Sequence, residues 1–127
     1  GMLAVKCQWG NFGAPEGMYT DHERQYGIHG GDVETSLMLN FHPDCVDMSK
    51  AIDFRSAAET DPVPPTGPIS RGWIAADMNP DGTVGNASIA TAEKGAATCA
   101  HQVAGFIELL RQVRDMPLPS VDARPFD

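Results

Sequence analysis

The side chains best suited to chemistry in this chain lie in one short run, His29-Gly30-Gly31-Asp32-Val33-Glu34. An imidazole titrates near neutral pH and can therefore act as a general acid or base. The two glycines leave room for a ligand, and a helix beginning after them would offer its N-terminal N–H groups to an anion or a developing oxyanion. The same spacing also fits a surface histidine in an ordinary turn, so the run alone allows both interpretations.

Apolar residues at helical spacing predict a helix directly after the glycines, over residues 33–42. Gly31 or Asp32 can serve as its N-cap, and Glu34 lies in its first turn, where a carboxylate suits the positive end of a helix. The apolar positions, and the proline that ends the pattern, are Val33, Leu37, Met38, Phe41 and Pro43. The rigid backbone of this helix would hold His29 close to the helix N-terminus.

A second helix is predicted from Ala92, with Thr91 as its N-cap and Pro117 as its stop. Small residues in its apolar stripe predict close packing on a sheet or on another helix. The stripe consists of Ala96, Ala100, Val103, Ile107 and Leu110.

The remaining segments predict shorter elements. Leu3–Trp9 is apolar at most positions and is predicted as a strand, and Trp73–Ala76 and Ala51–Phe54 are predicted as brief extended pieces. A short turn is expected around Thr20–Arg24. Residues 56–68 contain four prolines and are predicted as an extended surface arm.

Length and charge limit the class of protein. A chain of 127 residues is expected to form one domain, here over residues 2–116, followed by an extended proline-containing tail over 117–127. The net charge of −8 argues against nucleic acid or an anionic membrane as partner, because both require a positive surface. No apolar run is long enough to span a bilayer.

The cysteines indicate a compartment. Cys7, Cys45 and Cys99 are odd in number and widely spaced, which predicts reduced, buried thiols in the cytoplasm.

Three segments carry a resemblance to a known family. They are Gly27–Leu39 followed by His42-Pro43-Asp44, then Ala90-Thr91-Ala92-Glu93-Lys94-Gly95, and Gln8-Trp9 at the end of the first apolar run. In this order they resemble the creatininase (creatinine amidohydrolase) family, and the first match is the most specific. The resemblance covers most of residues 3–115.

The resemblance implies an α/β fold, a three-layer α/β/α sandwich with a mostly parallel sheet, of which this chain looks like the C-terminal half. Family members are longer, and the ligands of their divalent metals, zinc or manganese, lie in the half that precedes the matched part. No metal ligand set is therefore expected in this chain. In the intact family enzyme, two metals would activate a water molecule that attacks the amide carbonyl.

The resemblance also implies roles for individual residues. His29 would carry the proton to the leaving nitrogen. Glu34 would orient neighbouring groups, although a purely structural carboxylate at the helix start fits equally well. Trp9 is either a wall of the pocket or a core aromatic. The expected substrate pocket comprises Trp9, Tyr26, Gly30 and Gly31.

Two departures from the family pattern concern the substrate. Where creatininase has a second pocket tryptophan, this chain has Gln25 and Tyr26, and the glutamate before the histidine is replaced by Ile28. These departures argue against creatinine itself as the substrate. They do not argue against amide hydrolysis as the reaction.

Two functions follow as expectations. One is a metal-dependent hydrolase of cyclic or other non-peptide amide bonds in a small molecule, to which this chain contributes the catalytic histidine. The alternative is a non-catalytic, truncated or structural fragment. In both cases half a sandwich would leave apolar faces uncovered, which predicts a homo-oligomer.

Overall fold

The computed structural model describes residues 2–119, and helices predominate in that part of the chain. The α-helices are α1 (Asp21–Tyr26), α2 (Asp32–Phe41), α3 (Ala75–Met78) and α4 (Ala92–Asp115). Two short strands, β1 (Asp53–Phe54) and β2 (Gly85–Asn86), pair antiparallel, with Asp53 opposite Asn86 and Phe54 opposite Gly85. Single 3₁₀ turns lie at Trp9–Phe12, Pro43–Cys45, Met48–Lys50, Ala57–Thr60 and Ala87–Ile89.

The two predicted helices are confirmed almost to the residue. Helix α2 begins after the N-cap Gly31 and ends before Pro43, where the His42 N–H donates to the Met38 carbonyl. Helix α4 has Thr91 as its N-cap, and the Thr91 hydroxyl accepts from the Lys94 N–H at 3.2 Å. Capping residues and the proline stops therefore determined both boundaries.

The alanines that were predicted to pack closely, Ala96 and Ala100, are exposed on α4, whereas the apolar stripe is uncovered as expected for half a sandwich. The apolar stripe lies outward, with Val103, Ile107 and Leu110 each more than two-fifths exposed. The face packed toward α2 carries the buried Gly95, Thr98 and Gln102 instead. Small and polar residues thus form the helix contact, and the apolar stripe remains without cover among the described residues.

The predicted strands are largely absent from the described residues. Leu3–Trp9 forms no strand, and Trp73–Ala76 gives way to the first turn of α3. Of Ala51–Phe54, only the last two residues pair, as β1. A strand requires a neighbour with free N–H and C=O groups, and residues 2–119 place none beside Leu3–Trp9. The turn expected at Thr20–Arg24 is helix α1.

Segments between α2 and α4 form a small apolar core. Ala58, Met78 and Val84 are buried together, and Ile28 and Trp73 pack against them. The predicted surface arm over 56–68 is anchored rather than free, because the Trp73 indole N–H donates to the Pro65 carbonyl at 2.7 Å. This core holds together the segments that flank His29.

The thiols are reduced but not buried as predicted. Cys7 and Cys45 are exposed and Cys99 is partly exposed, and all three are free. Within residues 2–119 no helix is long and apolar enough to cross a membrane. Of the predicted tail, residues 120–127 lie outside the described part of the chain.

Candidate active site

His29 is fixed by its backbone while its side chain is exposed. Its N–H donates to the Val84 carbonyl at 3.2 Å, and the Val84 N–H donates to the His29 carbonyl at 2.7 Å. This isolated antiparallel bridge joins the segment before α2 to the segment before β2. The imidazole is therefore attached to a residue whose backbone N–H and carbonyl are both hydrogen-bonded.

The next residue requires glycine. Gly30 has a φ of +72°, in the left-handed region that side chains rarely adopt, and a Cβ there would lie 3.2 Å from Thr83 Cγ2. The hydroxyl of Thr35, one turn into α2, donates to the Gly30 carbonyl at 3.1 Å. A side chain of α2 therefore stabilises the turn that connects His29 to this helix.

Glu23 is the site residue that the sequence did not reveal. It is only 2% exposed. One carboxylate oxygen, Oε1, accepts from the Asp32 N–H at 2.6 Å, and the other, Oε2, accepts from the Asn86 N–H at 2.9 Å. Because the N-cap Gly31 has no side chain, Glu23 supplies a cap for α2 from another helix. The first N–H group of α2, expected to face an anionic ligand, is therefore already taken.

Three glycines surround this carboxylate. A Cβ added at Gly27 or at Gly31 would lie 2.1 Å from Glu23 Oε1, and one at Gly85 would lie 2.8 Å from it. The sequence signal near Glu23 was misleading, because Thr20 three residues earlier fits a capping box. Thr20 does accept from the Glu23 N–H, at 3.1 Å, but the Glu23 side chain points into the glycine cradle.

Asp32 links the start of α2 to α4. It is 1% exposed, and its Oδ2 accepts from the Lys94 ammonium at 2.7 Å while its Oδ1 accepts from the Ser36 hydroxyl at 3.1 Å. The Ser36 oxygen in turn accepts from the Thr91 N–H at 3.1 Å. The residues that resemble the family in α2 and α4 thus meet in one buried polar network.

Gly95 lets the two helices approach. A Cβ at this position would lie 1.9 Å from the Ser36 carbonyl oxygen and 3.0 Å from Asn40 Cβ. The glycine of the Glu93-Lys94-Gly95 segment is therefore explained by helix packing, and Lys94 by its pairing with Asp32.

Glu34 lies in the first turn of α2 and lines a cavity between α1, α2 and α4, the larger of two described below. Glu34 is exposed at the surface, but the surrounding protein atoms still displace enough water to raise the pKa of its carboxyl. The negative charge of Glu23 raises this pKa further, whereas the nearby backbone N–H groups and His29 oppose the shift. Glu34 can therefore hold a proton at a higher pH than an ordinary glutamate.

The larger cavity has a volume of about 550 Å³ and lies between α1, α2, α4 and the loop around residues 10–15. Gly27 and Ile28, which directly precede His29, line it, as does Gly10, which directly follows Trp9. Of the predicted site residues, Glu34 lines this cavity, whereas His29, Trp9, Tyr26, Gly30 and Gly31 do not. The cavity thus borders the His29 segment on one side.

The two predicted pocket aromatics lie apart. The Trp9 ring centroid is 6.0 Å from that of Phe106 on α4 and 6.1 Å from that of Phe12, in an aromatic cluster. Tyr26 lines a second cavity of about 280 Å³, and its ring centroid lies 5.1 Å from that of His22. Arg24 lines both cavities.

The described residues do not fit a metal ion. Within residues 2–119 there is no group of three or more histidine, cysteine, aspartate or glutamate side chains that could hold one. The two buried carboxylates near the start of α2 already have protein partners, because Glu23 binds two backbone N–H groups and Asp32 binds Lys94.

The family model and the matching solved structures point to one family. Residues 1–110 match the family model of creatinine amidohydrolase (creatininase). A search of curated proteins finds no significant match.

Solved structures of the same family do match this chain. A Bacteroides fragilis protein inferred to be a creatinine amidohydrolase is 25% identical with a TM-score of 0.64, over 90% of this chain and 44% of its own. A creatininase mutant complexed with creatine is 25% identical with a TM-score of 0.60, over 85% and 42%. A manganese form of creatininase shares the fold at 24% identity and a TM-score of 0.62, over 87% and 42%. The chain spans less than half the length of these structures.

Proposed function

This chain belongs to the creatininase family and has its α/β fold, and we propose that it supplies the proton-transferring histidine of a hydrolase acting on cyclic or other non-peptide amide C–N bonds. The observation that carries the proposal is His29 itself. Its backbone is fixed by two hydrogen bonds to Val84, and its imidazole is exposed to solvent beside two glycines.

The chemistry assigned to His29 is a proton transfer. Hydrolysis adds water to the amide carbonyl carbon and then breaks the C–N bond, and the nitrogen must leave with a proton. A neutral imidazole accepts the proton that water loses during attack, and the resulting imidazolium donates it to the departing nitrogen. A group that titrates near neutral pH performs both steps efficiently.

The neighbouring residues supply space and orientation in this proposal. Gly30 and Gly31 place no side chain of their own next to His29, although the Glu23 carboxylate occupies the space beside Gly31 and Thr83 lies beside Gly30. Trp9 and Tyr26 are assigned to the walls of the substrate pocket because their chain neighbours Gly10 and Gly27 line the larger cavity. In the described structure the two aromatics themselves lie apart, with Tyr26 on the second cavity, so this assignment requires the rest of the site to bring them together. Glu34 orients groups near the helix start.

The divalent metal of the family would need ligands beyond residues 2–119, because the described residues contain no cluster that fits it. The roles assigned here therefore concern only the histidine and its surroundings. The free thiols are compatible with a cytoplasmic location.

We also propose that the outward apolar stripe of α4 is covered by another chain in a homo-oligomer. Val103, Ile107 and Leu110 are exposed on one face of this helix. Contiguous exposed apolar surface is typical of an interaction site.

A chimera tests the catalytic proposal. Residues 2–116 of this chain replace the structurally matched segment of a solved creatininase, and hydrolysis of creatinine and other small cyclic amides is measured. We expect activity above the uncatalysed rate, and a loss of roughly two to four orders of magnitude in kcat for His29→Gln. His101→Gln, which changes an exposed histidine on α4, is the control and keeps full activity.

Two results would refute the proposal. A folded, metal-loaded chimera without activity would favour a structural fragment. Unchanged turnover in His29→Gln would show that His29 is a turn residue.

A further inference from the structure

We infer that Glu23 is the positioning residue of this site, because its buried carboxylate ties together the two backbone segments that fix His29. The meaning of this inference for catalysis rests on the function proposed for His29. The contact itself can be tested without activity.

The two hydrogen bonds of Glu23 reinforce the bridge at His29. Asp32 follows His29 by three residues, and Asn86 follows Val84 by two. The His29–Val84 bridge joins the same two segments that Glu23 joins through the Asp32 and Asn86 N–H groups, at 2.6 Å and 2.9 Å. Glu23 is thus a second connection, from α1, between the start of α2 and β2.

A carboxylate is required at this position. Both N–H groups are donors, and they need two acceptor oxygens on one side chain. A buried carboxylate is stable only when its charge is compensated, and here the N–H groups and the positive end of α2 provide the compensation. Glutamine has the same shape but one acceptor, so an NH₂ group would face one of the two N–H groups.

The glycine cradle supports the same conclusion. Gly27, Gly31 and Gly85 lie so close to the carboxylate that a Cβ at any of them would contact it at 2.1–2.8 Å. Gly27 has a φ of −83° and a ψ of 64°, a conformation that alanine can adopt. Gly27→Ala therefore displaces the carboxylate without backbone strain and is an independent probe of Glu23.

Glu23 also acts on the charge of the site. Its carboxylate contributes to the raised pKa of Glu34 on the larger cavity. Displacing Glu23 is therefore expected to change both the position of His29 and the protonation of its neighbour.

The test uses amide hydrogen exchange and NMR on the 127-residue chain. In wild type, a through-hydrogen-bond correlation is expected between the Glu23 carboxyl carbon and the Asp32 and Asn86 amide nitrogens. In Glu23→Gln, exchange of at least one of these amides is expected to accelerate roughly 5- to 150-fold, the equivalent of an unsatisfied buried donor. Exchange at the His29 and Val84 amides should accelerate with it.

Three comparisons separate positioning from general stability. A purely structural role would accelerate exchange equally throughout α4. A positioning role accelerates exchange only at the His29, Asp32, Val84 and Asn86 amides. Gly27→Ala should reproduce the effect of Glu23→Gln, and the double variant should add little, because both changes remove one contact. Glu16→Gln, at an exposed glutamate, is the matched control and should change nothing.

Several results would overturn the inference. One is the absence of the correlation in wild type together with rapid exchange at Asp32 and Asn86, a result that does not depend on any variant folding. Another is unchanged exchange in a folded Glu23→Gln. In the chimera, Glu23→Gln should lower kcat with little change in KM. If His29→Gln abolishes activity and Glu23→Gln leaves kcat unchanged, the positioning role is wrong while the proposed function stands.

Discussion

The ammonium group of Lys94 on α4 lies 2.7 Å from the carboxylate of Asp32, the first residue of α2. Lys94 also donates to the Ile89 carbonyl at 2.9 Å, and its ammonium lies 5.7 Å from the centroid of the Tyr19 ring. The helix that follows His29 is therefore anchored at its first residue by a charge from the last helix of the described chain.

Lys94→Met is expected to destabilise the fold by about 3 kcal/mol, because it leaves the buried Asp32 carboxylate without its cation. Urea unfolding measures the change. Lys50→Met is the matched control, since Lys50 pairs with Asp47 at an exposed position, 3.4 Å apart, and should change stability by less than about 1 kcal/mol. Equal, small effects of both substitutions would contradict the prediction.

Gly95→Ala is expected to destabilise the chain by several kcal/mol, even though alanine normally stabilises a helix by about 1 kcal/mol over glycine. The added Cβ would lie 1.9 Å from the Ser36 carbonyl oxygen, a backbone atom that cannot move alone. Gly105→Ala on the same helix meets the Phe12 side chain at 2.9 Å, which can rotate, and should lose less. Thermal melts of both variants compare them. A higher Tm for Gly95→Ala would show that α2 and α4 are farther apart.

The sequence predicted the parts of this site that depend on local rules. The bounds of α2 and α4 followed from caps, apolar spacing and prolines, and His29 was placed correctly before the N-terminus of α2. These features depend on residues a few positions apart, so the local pattern contains the necessary information.

The parts that depend on distant residues could not be predicted. Glu23 is separated from Asn86 by 63 residues, and nothing in its local pattern distinguishes it from a surface glutamate. The contact face of α4 was missed for a related reason. Its alanines were predicted to pack closely, but Gly95 permits contact on the opposite face, and Ala96 and Ala100 remain exposed.

Glu34 should give the stability of the chain a specific pH dependence. The pKa of Glu34 in the folded chain lies above its ordinary value of 4.5, so the folded state binds this proton more tightly than the unfolded state. The stabilisation is complete below pH 4.5 and is lost as the pH rises through the folded-state pKa. Stability relative to Glu34→Gln should therefore decline over this interval. Urea unfolding across the range measures it, and a constant difference, or one that grows with pH, would show that Glu34 is not desolvated.

The 127-residue chain is expected to bind neither zinc nor manganese stoichiometrically, because residues 2–119 contain no cluster of three or more suitable ligands. Elemental analysis after incubation with each metal and dialysis gives the metal content per chain. Cys7→Ser controls for adventitious binding at an exposed thiol. One metal or more per chain, retained in Cys7→Ser, would show that ligands assemble in a way the described residues do not reveal.

The apolar face of α4 is expected to make the isolated chain associate with a second copy of itself at low micromolar concentration. Val103, Ile107 and Leu110 are 41%, 43% and 51% exposed, and they lie on one side of a helix whose other side packs toward α2. Burying them against a second copy removes apolar surface from water. Ile107→Glu should therefore shift the chain toward monomer, because association would bury an unpaired charge. His101→Glu, at an exposed position on the same helix, should leave association unchanged. Light scattering distinguishes these outcomes, and a monomeric wild-type chain with a cooperative melt would show that this part of the fold is stable without cover.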